Sequence, residues 1–159
     1  MKKRLAAAAG GVLAAAALTV GAWPIWFRPP YVLADTPPVD VTVSAGRSRY
    51  QDVAETAEDV DTLVRVYVQR LRARDAEGLA RLAGPAYPQP RGDAKRFVDA
   101  YAAGAQGHVD VTVAEGPVPY FNQVTLAYER TGRRQDLLLV HDDGDWWIAL
   151  GEGDPAAGR

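Results

Sequence analysis

The sequence predicts an α+β fold, with three N-terminal helices packed on a curved four-stranded antiparallel sheet, preceded by one transmembrane helix or signal peptide. Three observations carry that expectation. Residues 5 to 27 run for 23 positions without a charge. From Val53 to Leu71, apolar residues recur at helical spacing. After Gly107 the period falls to two, and Asp143-Gly144 marks a hairpin.

The uncharged run lies directly behind Lys2, Lys3 and Arg4. A helix rising about 1.5 Å per residue needs roughly 20 apolar residues to cross a bilayer core, and the run meets that length. Basic residues ahead of it, with no matching cluster behind, place residues 1–4 in the cytoplasm. Trp23 and Trp26 stand at the far end, where indole rings favour the headgroup layer. A cleaved signal peptide is the alternative, with Val20-Gly21-Ala22 as its small-residue site. The nine alanines of the run weaken insertion and keep that alternative open. Either way, residues 31–159 are expected outside the cytoplasm, on a single-pass membrane protein or, after cleavage, a secreted one.

Setting aside the three basic residues of the stub leaves 15 basic against 20 acidic, a net of −5 for the remainder. An acidic balance argues against a nucleic-acid partner. With no cysteine anywhere, the fold must rest on packing rather than disulfides. About 130 residues suffice for one core but not two.

Residues 28–50 read as a stalk stiffened by Pro29, Pro30, Pro37 and Pro38. Within it, Val39 to Val43 alternates as a short strand for a sheet edge would. Residues 51–150 form the expected domain. Val53, Ala57, Val60, Val64, Tyr67 and Leu71 follow at spacings of 4, 3, 4, 3 and 4, one face of a helix of about six turns. Asp75 suits an N-cap for a second helix, Ala76 to Ala83, stopped by Gly84-Pro85. A third helix from Asp93 to near Gly104 would bury Phe97, Val98 and Tyr101. Val109, Val111 and Val113 then alternate with polar residues as a half-buried strand. A long strand from Val118 to Arg130, another from Arg134 to His141 and a last one from Asp145 to Leu150 complete a meander. Residues 151–159 read as a polar tail.

This order of elements resembles the cystatin-like cone of the nuclear transport factor two superfamily. The resemblance rests on the helix from Thr62 running into the Arg74-Asp75-Ala76-Glu77-Gly78-Leu79 step, and on the closing hairpin Val140 to Leu150. A single-span anchor ahead of such a cone is similar to membrane proteins associated with the mammalian-cell-entry lipid transport systems of actinobacteria. The resemblance implies a curled sheet around the long helix, and pairing through the outer sheet face. Enzymes of the superfamily place carboxylates or histidines inside the cone, and no such constellation maps here.

Tyr67, Phe97, Tyr101, Tyr120, Tyr128 and Trp146 are expected to line the cone, either filling it or bounding a pocket for a small apolar ligand. If Trp146 and Ile148 point inward, alternation sends Trp147 outward beside Leu138, as an exposed apolar patch for a protein partner or a homodimer. Asp61 and Asp110 are the candidate cone carboxylates, but few polar groups converge around them. His108 and His141, at strand and hairpin ends, are expected as solvated turn residues without metal ligands nearby. Asp142, Asp143 and Asp145 read as a solvated turn rather than a calcium loop. No catalytic residue, metal or cofactor is expected. The expected role is a non-catalytic binding or assembly module anchored in the membrane, ahead of a ligand binder or an isomerase- or cyclase-like enzyme.

Overall fold

The computed structural model describes residues 31–47, 52–84, 87–116 and 120–150. The expected anchor at 5–27 and the tail at 151–159 lie outside the described residues. Among the described residues no helix is long and apolar enough to cross a membrane.

The chain forms β1 (Val41–Ala45), α1 (Asp52–Ala73), α2 (Ala76–Ala80) and α3 (Pro90–Tyr101), with a 3₁₀ turn at Arg81–Ala83 and another at Gly104–Gln106. Then come β2 (Val109–Glu115), β3 (Phe121–Tyr128), β4 (Arg133–Asp142) and β5 (Asp145–Ile148). The strands lie in the order β1-β2-β3-β4-β5 in one sheet, which curls around α1. The α+β class with three helices therefore stands, but the sheet has five strands and is mixed rather than four-stranded and antiparallel. The fifth is β1, which pairs parallel with β2 from Val41 opposite Val109 to Ala45 opposite Val113. Parallel neighbours need a crossover, and here the three helices supply it.

Five strands instead of four also changes the reading of the presumed stalk. From Tyr31 to Gly46 it is part of the domain. Tyr31 is buried in the core, and Gly46 N–H donates to the Val113 carbonyl at 2.7 Å, extending the β1–β2 ladder. Gln69 of α1 fixes the approach to β1. Its Oε1 accepts from Ala34 N–H at 2.9 Å, while its Nε2 donates to the carbonyls of Ala34 at 2.7 Å and Pro37 at 2.8 Å. Covered by sheet on one side and by this segment on another, α1 is buried nearly all round between Leu63 and Leu71.

The helix break is built by local chemistry. Arg74 adopts the left-handed region at φ 56°, and Asp75 N–H reaches back to the Arg70 carbonyl at 2.9 Å, closing α1 in a Schellman-type turn. Asp75 then caps α2, its Oδ1 accepting from Gly78 N–H at 2.8 Å. A β-carbon at Gly78 would fall 2.1 Å from the other carboxylate oxygen, so this cap requires glycine. The second helix is shorter than Ala76–Ala83, because its last turn tightens to 3₁₀. The third starts earlier than Asp93, with Pro90 in its first turn, where a missing N–H costs nothing.

On the sheet, Val109, Val111, Val113, Val124, Leu126, Tyr128, Leu137, Leu139 and Ile148 are buried toward α1, forming one core with Leu63, Tyr67, Leu71, Leu79 and Phe97. Asp143 and Gly144 both take positive φ, 52° and 87°, as a two-residue hairpin of this twist requires.

Candidate functional site

Two surfaces could carry function, the interior of the curl and the outer sheet face. Inside, Tyr67, Phe97, Tyr101 and Tyr128 are each at most 1% exposed. They serve one another. Tyr101 stacks on Tyr128 at 5.4 Å between ring centres, and Phe97 meets Tyr101 edge-on at 6.3 Å. Arg133, at the start of β4, lies over the Tyr101 ring with its guanidinium carbon 5.0 Å from the centre.

At the centre of this cluster stands Gln135, itself 1% exposed. Its Oε1 accepts from the Tyr128 hydroxyl at 2.6 Å, and its Nε2 donates to Tyr67 Oη at 2.7 Å. Gln135 is not among the residues expected inside the cone, although a signal for it exists. It shares the alternation phase of Leu137 and Leu139, which marks a polar residue on an inward face.

The other two candidates for the interior sit elsewhere. Tyr120 is 71% exposed, with φ 73°, in the turn ahead of β3. The expected strand from Val118 overran its true start at Phe121, so Tyr120 falls outside the alternation. Trp146 is half-buried at the rim of the core, its ring tilted over His141 at 4.8 Å.

Outside, register aligns Phe121 of β3 with Val140 of β4 and Trp147 of β5. All three are half-buried, as is Leu138. Trp147 is not the exposed ring expected from alternation. Tyr31 meets it edge-on at 6.4 Å, and Gly84 packs so closely that a β-carbon there would sit 3.1 Å from the indole. Gly84 has φ 77°, so a side chain would meet backbone strain as well. The Tyr31 phenol is pushed up to about 12, chiefly by burial and then by the Asp145 charge, against a lowering hydrogen bond from the Trp146 backbone.

The candidate carboxylates separate. Asp61 is on α1 in an ion pair with Arg65 Nε at 2.7 Å. Asp110 is exposed on the outer face of β2. Asp142 and Asp145 face one another at the base of the last hairpin, with exposed Asp143 in its turn. Asp93 is the buried carboxylate among the described residues, and it is partnered by Tyr87 Oη at 2.7 Å and by Arg96.

His108 departs from the expected solvated turn residue. Its Nδ1 lies 3.0 Å from Asp40 Oδ1 and its Nε2 3.2 Å from Asp110 Oδ1. Glu129 joins from β3's end, with donor atoms of His108, Asp110 and Glu129 within 4.8 Å of one another. Local spacing does not reveal this cluster, because Asp40 and Glu129 arrive through strand pairing. Hydrogen bonds to Asp40 first, then Asp110, raise the imidazole pKa from its ordinary value near 6.5.

Comparison with protein families, with curated proteins and with solved structures finds no match to this chain.

Proposed function

We propose that the chain is a non-catalytic binding and assembly module of the bacterial envelope, a cystatin-like cone of the nuclear transport factor two type held at the membrane by residues 5–27. Its partner is another protein, met on the outer face of β3, β4 and β5. The observation that carries this reading is the apolar row Phe121–Val140–Trp147, aligned across three neighbouring strands with Leu138 beside it. Apolar residues contiguous on an outward sheet face are the usual substrate of protein association. The interior supports the same reading. Its rings and polar atoms partner one another, so a small apolar ligand would have to displace packed aromatics. The buried carboxylate among the described residues, Asp93, is likewise held by Tyr87 and Arg96.

Cover from Tyr31 and Gly84 moves the centre of the proposed surface from Trp147 toward Val140 and Leu138. The test is Val140→Asp in the full chain, read by sedimentation in detergent and by capture of envelope partners. A charge there should reduce association about tenfold or more while leaving the denaturation midpoint nearly unchanged, since Val140 is not in the core. Association equal to that of the parent chain sinks the reading. The mass of the assembly distinguishes a second copy from a different protein.

A further inference from the structure

We propose that His108, Asp110 and Glu129 form a binding site for a divalent ion of the zinc type, oriented by Asp40. The argument starts from register. His108 immediately precedes β2 and Asp110 lies in it, and because the ladder extends to the His108 carbonyl the two residues, two apart, share a side. Glu129 N–H donates to the His108 carbonyl, which sets Glu129 beside the histidine on the next strand. Val109 N–H donates to the Asp40 carbonyl, which sets Asp40 on the other flank. One imidazole thus stands among three carboxylates supplied by three neighbouring chain segments.

The two ring nitrogens have different neighbours, and that difference points to a metal. Nδ1 faces Asp40 at 3.0 Å. A histidine that binds zinc through one nitrogen generally donates the other N–H to a carboxylate, which fixes the tautomer and the ring plane. Asp40 stands in that position. The other nitrogen, Nε2, then faces Asp110 at 3.2 Å. Two donors each about 2 Å from a tetrahedral zinc lie about 3.3 Å apart, so this pair already has the separation of adjacent ligands. Glu129 is exposed, with its carboxylate within 4.8 Å of the pair, and rotation of its side chain closes the remainder. Three protein donors leave a fourth position to water.

An imidazole nitrogen among the donors selects zinc over calcium or magnesium, which prefer all-oxygen shells. Among the described residues no lysine or arginine is paired with Asp110 or Glu129, so no side-chain cation occupies the position proposed for the ion.

The experiment uses the full chain in detergent, with any affinity tag removed, titrated with zinc chloride by calorimetry at pH 7.5. One equivalent is expected, insensitive to millimolar calcium. His108→Ala and Glu129→Gln should each weaken binding about tenfold or more, and Asp40→Asn about tenfold through loss of ring orientation. All these side chains lie at the surface, and circular dichroism confirms that the variants fold. Failure of the parent chain to bind zinc overturns the proposal. So does binding by His108→Ala or Glu129→Gln equal to the parent, which would move the ion to another cluster.

Discussion

Two tyrosine hydroxyls, from α1 and β3, meet one amide from β4 in the middle of the domain. Polar atoms so deep are stable only while hydrogen-bonded, because each was stripped of water on folding. Gln135→Leu keeps the volume but removes the amide that both hydroxyls bond. It should destabilise the domain by about 1–3 kcal/mol, read from the midpoint of chemical denaturation. A loss below about 0.5 kcal/mol would show that the amide contributes no more than a surface group does. Tyr31 offers a different readout. Its native pKa of about 12 exceeds the ordinary value near 10, so its contribution is complete below pH 10 and is lost as pH rises through 12. Between about pH 9 and about pH 11.5 the parent chain should therefore lose more stability than Tyr31→Phe, whose ring has no proton to release. Equal losses would contradict the burial assigned to the phenol. These residues differ in how legible they were. Tyr67, Phe97, Tyr101 and Tyr128 follow apolar periodicity, and Gln135 follows its phase. Tyr31 and Gln69 carry no periodic signal, since what each touches is far away along the chain.

The long helix, the Asp75 cap, the Asp143-Gly144 turn and the alternating strands were readable because each depends on residues within a few positions of one another. Strand β1 was visible as an alternation, but its bounds and its parallel partner were not. Pairing of Val41 with Val109, far apart along the chain, is decided by tertiary packing that no local pattern records. Its prolines suggested a free stalk, yet Pro37 contributes a carbonyl to Gln69 rather than interrupting a ladder. This makes Gln69 the point at which one helix holds a whole edge strand. Gln69→Leu removes three hydrogen bonds while preserving much of the side-chain volume on α1. The expected result is selective loosening. Amide protons of β1, and those of β2 that bond to it, should exchange at least about tenfold faster, while protons in the β3–β4 ladder keep their protection. Uniform acceleration across all five strands would instead mean that the clamp supports the global fold and not the edge alone.

Joining the proposed anchor to Tyr31, the first described residue, gives an expectation for how the domain sits at the membrane. Phe27 closes the uncharged run, and Tyr31 is already buried against β5. Four residue steps at no more than about 3.6 Å each span at most about 14 Å. If residues 5–27 cross the bilayer, no long stalk separates the two, and the β4–β5 hairpin beside Tyr31 must face the lipid surface. The opposite end of the sheet, with His108 and the β3–β4 turn, must then point away. Strand β4 alone runs 10 residues, about 30 Å at its usual rise, so the two ends differ strongly in depth. The absence of cysteine makes this measurable, because a single introduced thiol is the only one to label. Asp142→Cys marks the hairpin end and Thr131→Cys the far turn, both at exposed positions. With the full chain in vesicles carrying a headgroup-attached nitroxide, a fluorophore on the hairpin thiol should be quenched severalfold more than one on the far-turn thiol. Equal quenching at both sites would detach the domain from the surface and place cleavage or a longer tether between anchor and fold. Strong quenching at the far turn alone would invert the domain and remove β5 from the membrane side. The expected orientation leaves the row around Val140 beside the bilayer, where a second membrane-held protein meets it at high local concentration.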